Sequence, residues 1–371
     1  MSGNLPQRRD KMPRLSILAL VLLALLGGAA APAEAGSSGR KGTDGAPELQ
    51  IGIGPRGTAL GGSVVGDVTG TEAMYWNPAG LALLQHTTAM FTHTQYFADM
   101  KLNYAAVASS MGSFGVLGIA AKVLSIGDVI VTTEDAPEGT GEIAQPTFTV
   151  LGLTWAKQFT DRVVFGVTTN LVSEHIINQS ATGVAFDLGV QYLTGWHGLK
   201  LGAVMKNFGP GMSYSGPGTE ASLLPPDADP AASNRIFSTQ TASFELPSHF
   251  TMGASYDLVT SPAYRVTALG AFQNNNYQGD ALRGGLEWSY RDYFALRGSY
   301  FGSFAGAVDP ATGDESQSLV GGDDLYTGLS LGAGVKIRTG ETGRLGVDFT
   351  WRPVRAGLFD DIVDVGLRLD F

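Results

Sequence analysis

The sequence predicts an all-β protein, a transmembrane antiparallel β-barrel of about 14 strands with an oily outer face and a wet inner one. Three observations lead there. Apolar and polar residues alternate with a period of two over many segments, the repeat of a strand that shows one face to each of two media. Of the 371 residues 44% are hydrophobic and only 16% charged, against roughly 25% charged in a soluble domain. Past the opening segment, however, no apolar run reaches the roughly 20 residues of a membrane helix. The links between segments also alternate short and long, as in membrane barrels with tight turns at one rim and long loops at the other.

Residues 1–35 read as a secretory leader. Arg8, Arg9, Lys11 and Arg14 form its positive region, Leu15 to Ala31 its apolar stretch, and Ala33 to Ala35 a small-residue cleavage site. Cleavage is expected near Ala35; the alternative, a retained anchor, fits poorly with a short stretch rich in Gly and Ala. Loss of the leader removes four basic and two acidic residues, taking the net charge from −10 to −12. An acidic chain with no basic stripe is not expected to bind nucleic acid. The absence of Cys excludes a disulfide framework, a thiol catalyst, a Cys-ligated metal and an amino-terminal lipoprotein anchor. Residues 36–48 read as a flexible Gly/Ser-rich prelude, residues 49–85 as a separate Gly-rich segment, and residues 86–371 as the barrel.

Strands are expected at 87–94, 101–110, 113–125, 146–158, 162–173, 181–193, 199–208, 248–258, 264–273, 282–290, 293–301, 325–338, 344–351 and 362–371. Val184, Phe186, Leu188, Val190 and Tyr192 oppose Gly183, Ala185, Asp187, Gly189 and Gln191. Leu345, Val347, Phe349 and Trp351 oppose Gly346, Asp348 and Thr350. In 113–125 both faces are small or apolar, and the register stays open. Short turns are expected near 110–113, 159–161, 195–198, 260–262, 291–292 and 339–343. Longer links fall at 126–145, 174–180, 209–247, 274–281, 302–324 and 352–361. The first link, 95–100, does not follow the pattern. An even strand count puts both chain ends on the turn side. Tyr192, Trp155, Trp288, Tyr290, Tyr293, Trp351 and Phe371 fall near strand ends, where interfacial aromatics belong. In hydrocarbon every strand edge needs a partner, so the sheet has to close.

Two resemblances sharpen this reading. The last segment, with Val363, Val365, Leu367, Leu369 and the final Phe371 on one face, resembles the closing strand of bacterial outer-membrane barrels. That resemblance makes Phe371 part of the signal read by the barrel-insertion machinery. The stretch Gly54 to Asp67, followed by Ala73 to Leu81, resembles the opening signature of the PorV/PorQ family, itself similar to the FadL-type transporters; Tyr75, Trp76, Asn77, Pro78, Ala79, Gly80 and Leu81 are the specific part. The resemblance implies an amino-terminal hatch folded inside the lumen and built on Arg56, Gly61, Gly62, Asp67 and Tyr75 to Gly80. Pro78 cannot donate to a ladder, Asn77 can satisfy nearby backbone groups, and Gly61, Gly62 and Gly80 permit close approach of hatch to wall. The same residues also fit an ordinary capped turn ahead of the first strand. Asp187, Asp257, Arg283, Glu287, Lys336, Asp348, Asp364 and Arg368 are expected to face the lumen, either paired with one another or along a substrate path.

The expected location is the outer membrane of a Gram-negative-type bacterium, among its lipids. The PorV/PorQ resemblance implies a non-enzymatic part in protein export, resembling type IX secretion, with secreted cargo proteins as partners and the loop 209–247 as the contact surface. The alternative is a FadL-like channel for long-chain fatty acids or other hydrophobic small molecules, which needs an apolar pocket beside the hatch and a kinked strand in the wall. No catalytic residue, metal or cofactor is expected. Gly52 to Gly57 matches a dinucleotide pattern, but Pro55 sits where the helix should begin and no helical run follows in a βαβ context. Ser330 matches a nucleophile-elbow pattern inside an alternating strand. The five His show no zinc spacing. The acidic run from Asp309 to Glu315, with Asp323 and Asp324, reads as a solvated loop or a loose calcium site.

Overall fold

The computed structural model describes residues 43–223, 235–239, 241–308, 315–321, 326–339, 343–355 and 359–371. The expected leader, the start of the 36–48 prelude, part of the 209–247 loop and most of the acidic run beginning at Asp309 lie outside the described residues.

Among the described residues fourteen strands form one closed antiparallel ladder. In chain order they are β1 (Thr88–Gln95), β2 (Lys101–Ser110), β3 (Val116–Ser125), β4 (Thr147–Gln158), β5 (Val163–Ile176), β6 (Gln179–Leu193) and β7 (Lys200–Phe208). The second half comprises β8 (His249–Thr260), β9 (Tyr264–Asn275), β10 (Ala281–Tyr290), β11 (Phe294–Val308), β12 (Leu329–Thr339), β13 (Gly343–Arg352) and β14 (Ile362–Asp370). Each strand pairs with its neighbours in the chain, and β1 pairs with β14, Thr88 opposite Asp370 and Gln95 opposite Val363. The barrel has no open edge. Among the described residues no helix is long and apolar enough to cross a membrane.

Each expected strand is present, with shifted ends. β3 begins at Val116 behind a 3-10 turn at Gly112–Phe114, where Gly112 and Gly115 take positive φ angles of 61° and 114°; its alternation is blurred because inward Val116 and Leu124 join the core with the inner segment while Ile119 is exposed outside. The link expected at 174–180 is a two-residue hairpin at Ile177 and Asn178, because β5 and β6 run on to Ile176 and from Gln179. β11 extends to Val308 and pairs beyond the rim with Glu315–Gly321. β12 starts at Leu329, behind Gly328 at φ 87°.

Side chains sort by face as alternation requires. Phe91, Ile119, Leu151, Leu153, Leu171, Met252, Leu286, Leu331, Phe349 and Leu367 are exposed on the outside, while Thr92, Thr154, Asp187, Gln191, Thr350 and Asp364 are buried inside. Tyr192, Trp288, Tyr290, Tyr293 and Phe371 are exposed near the rim of short turns, together with Phe114, Phe159 and Trp196, an arrangement that fits an interfacial belt.

The inward side chains are buried because residues 43–87 run through the barrel. Gly and Pro break this inner segment into short pieces: 3-10 turns at Pro47–Gln50, Ser63–Gly66, Gly70–Glu72 and Pro78–Leu83, and single helical turns α1 (Pro55–Ala59) and α2 (Ala73–Trp76). α1 packs on β11 to β14, Ser63–Gly66 on β6 to β10, Gly70–Glu72 on β1 and β2, and Pro78–Leu83 on β4 to β6. One segment that touches the wall all round lies within it. Ile53, Leu60, Val64, Val68, Met74 and Leu81 form a core with Met90, Leu102, Leu124, Phe148 and Leu269 of the wall. Residues 43–48, expected to be flexible, are part of this packing: Ala46 and Glu48 are fully buried.

The segment starts at the rim of long loops, where the Gly45 N–H donates to the Glu245 carbonyl at 3.0 Å. It ends at the opposite rim, where Thr87 and Phe371 exchange backbone hydrogen bonds of 3.1 and 2.9 Å. The two ends of the barrel thus share the turn side as expected, but the described chain begins at the loop side.

Candidate functional site

The Tyr75 to Gly80 run fixes the inner segment to itself and to the wall. The Trp76 indole donates to the Ile53 carbonyl at 2.7 Å, and the Tyr75 hydroxyl to the Leu49 carbonyl at 3.2 Å. Asn77 caps the turn at Pro78–Leu83: its Oδ1 accepts the Ala79 N–H at 3.2 Å. Its Nδ2 donates to the Val65 carbonyl at 2.8 Å and to Val190 of β6 at 3.2 Å. The run is therefore both a capped turn and a docking piece. Gly61, at φ 60°, lies against Ser299 of β11, and Gly62, at φ 78°, against Trp76. Gly80 makes room chiefly for the Val68 carbonyl of the segment itself, 1.9 Å from an added Cβ, and also for Gln191 of β6, whose Nε2 would lie at 3.1 Å.

Arg56 and Asp67 anchor the segment by charge. The Arg56 guanidinium donates to both oxygens of Glu287 on β10, at 2.9 and 3.0 Å, and to Asp67 at 2.8 Å. Asp67 also binds Lys200 of β7. On the other side Arg297 of β11 joins Glu287 at 2.7 Å to Asp348 of β13 at 2.5 Å. The result is a chain of alternating sign, Lys200–Asp67–Arg56–Glu287–Arg297–Asp348, that ties the segment to four strands. Burial pulls the Arg56 pKa down, but the carboxylates of Glu287 and Asp67 more than offset this and hold the guanidinium charged. Glu72 is buried and accepts the Arg56 N–H at 3.2 Å. Below this chain, at the turn side, lies a polar chamber of about 190 Å³ lined by Arg56, Glu287, Arg297, Lys336, Asp348 and Arg368 among others.

The loop side is built differently. Lys206 of β7 places its ammonium 3.3 Å from the centre of the Tyr75 ring, with Lys122 of β3 at 4.8 Å, a cation–π pairing inside the wall. Lys122 also donates to the Ile51 carbonyl at 2.7 Å. Around them is a cavity of about 30 Å³, lined by Met74, Tyr104, Val150, Lys122, Asp187 and Asn207 among others, large enough for water and polar enough to hold it. Here the wall is irregular. The β6–β7 register jumps from Phe186 opposite Phe208 to Leu188 opposite Met205. Asn207 takes φ 57°, donates its N–H to Asp187 Oδ1 at 2.7 Å and its amide to the Pro247 carbonyl at 3.1 Å.

All eight charges expected in the lumen face it. The sequence reading missed Lys122, Glu174, Lys200, Lys206, Arg297 and Arg352, whose inward places follow from the same alternation once each register is fixed. The Gly52 to Gly57 pattern leads only into the single turn α1, which Pro55 opens at its first position, a place Pro favours. At five residues and inside the barrel it has no βαβ context. Ser330 lies in β12 and is buried. Phe371 is exposed at the seam with β1.

No family model and no curated protein matches the chain. Solved structures do. The Pseudomonas putida toluene transporter TodX matches with 14% identity over 86% of this chain and 97% of its own, TM-score 0.52. The Ralstonia pickettii toluene transporter TbuX gives 13% identity over 86% and 98%, TM-score 0.51. The CymD monoaromatic hydrocarbon channel gives 12% identity over 86% and 97%, TM-score 0.51. The likeness is one of fold.

Proposed function

We propose that the protein is an outer-membrane channel of the FadL-like kind, admitting small hydrophobic molecules, with residues 43–87 as its hatch. The observation that carries this reading is the shared architecture over most of both chains: the similar structures are described as toluene transporters or a monoaromatic hydrocarbon channel. The wall geometry lends support. A β-bulge bends a strand and interrupts its ladder, and one lies at Asn207, where the β6–β7 register shifts. The chamber below the hatch is crowded with charges, so an apolar solute gains nothing there. A sideways exit through the interrupted ladder into the bilayer suits it better than a straight run.

Cells expressing the protein should take up radiolabelled toluene several-fold faster than cells carrying the empty vector. Equal rates, with the barrel demonstrably in the outer membrane, would overturn the reading. The export role implied by the PorV/PorQ resemblance has the run Tyr75 to Leu81 in its favour and no support from the similar structures. Deleting 215–240 and following surface display of cargo tests it.

A further inference from the structure

We propose that the turn-side chamber is a binding site for a small oxyanion, a carboxylate or phosphate group, held between Lys336 of β12 and Arg368 of β14. This goes beyond the channel reading and rests on the charges of the chamber alone.

Six cations line the chamber: Arg56, Lys200, Arg265, Arg297, Lys336 and Arg368. Four are committed. Arg56, Lys200 and Arg297 belong to the ionic chain above, and Arg265 faces Asp292 at 3.7 Å. Among the described residues the side chains of Lys336 and Arg368 have neither an ion pair nor a hydrogen bond. Five acids share the lining: Asp67, Glu287 and Asp348 sit in the ionic chain, Asp257 accepts the Thr267 hydroxyl at 2.8 Å, and Asp292 faces Arg265. Asp348 is bound to Arg297 at 2.5 Å, Glu72 accepts the Arg56 N–H, and the Asp292 side chain is 70% exposed at the rim.

The register brings the two cations together. Lys336 stands opposite Gly346 of β13, and Gly346 opposite Arg368, so both side chains enter the chamber on one row with a glycine between them. Two strand spacings separate their roots by about 10 Å, a gap that two long side chains close onto one bound group. Gly346 adds no side chain of its own to the gap, and the Arg368 side chain leans over it, Nη2 lying 3.6 Å from where a Cβ would stand. Two partly buried like charges repel, and an oxyanion between them turns repulsion into two charge-assisted contacts, one of them suited to the fork of a guanidinium. The chamber volume, about 190 Å³, admits such a group with part of its water.

Calorimetric titration of the full-length protein in detergent micelles, at constant ionic strength in chloride, tests the proposal with inorganic phosphate and with benzoate. Saturable binding of at least one is expected. Phosphate alone would assign the site to phosphate groups, benzoate alone to carboxylated small molecules. The double variant Lys336→Gln, Arg368→Gln should weaken binding at least tenfold. Gly346→Leu, which keeps both charges but fills the gap, should do the same. Heat-modifiable gel migration reports folding, and if the double variant does not fold, Gly346→Leu decides. Absence of saturable binding, or unchanged affinity in the variant that folds, overturns the proposal.

Discussion

Glu48 shows how much one side chain can ask of its surroundings. It sits on the first turn of the inner segment, fully buried, and burial, then the neighbouring Glu174 carboxylate, raises its pKa from 4.5 to about 8. Glu174 is itself engaged by the Tyr214 hydroxyl. A carboxyl whose folded pKa lies above its free value favours the folded state most when protonated. The stabilisation is complete below pH 4.5 and is lost as the pH climbs through 8. The thermal midpoint of the detergent-solubilised protein should therefore fall between pH 5 and 9, and Glu48→Gln should flatten that fall. Parallel profiles for the two proteins would rule this out. Arg56 is the opposite case, a buried charge kept charged because two carboxylates meet it.

At the scale of the element, the wall carries cavities matched to the hatch. Gly166, Gly189 and Gly202 sit at inward positions of β5, β6 and β7, where an added Cβ would lie 2.3 Å from the Pro78 carbonyl carbon, 2.0 Å from Asn77 Oδ1 and 2.3 Å from the Val65 carbonyl oxygen. Gly189→Val should cost about 1–3 kcal/mol through overpacking. Gly284→Val, where an added Cβ meets nothing within 4 Å, should be neutral in the same melting experiment. Equal effects would show that the close fit carries no energy. These glycines also mark what the sequence could tell. Alternation in β6, β13 and β14 announced which face is wet, because a period of two is a local property. That Gly166 and Gly189 accommodate Pro78 and Asn77 is a relation between distant parts of the chain, and a lone glycine in a strand reads equally well as a kink. Arg297 escaped notice for the same reason. Its charge is legible, but its two partners lie on other strands.

On the scale of the whole molecule, the lumen is filled rather than open. The hatch reaches every quadrant of the wall, and the ionic chain through Arg56 and Glu287 crosses it. In planar bilayers the intact protein should stay near the baseline current. A version lacking residues 43–85 that still migrates as a folded barrel should conduct ions at least tenfold better. Large steady currents from the intact protein would contradict a filled lumen.

The path of the inner segment has one more consequence. It enters at the loop rim beside Glu245 and leaves at the turn rim, where Thr87 bonds to Phe371 and β1 zips to β14. A thread spanning a sealed tube from mouth to mouth is hard to insert afterwards. Assembly must lay the thread first and sew the last seam over it.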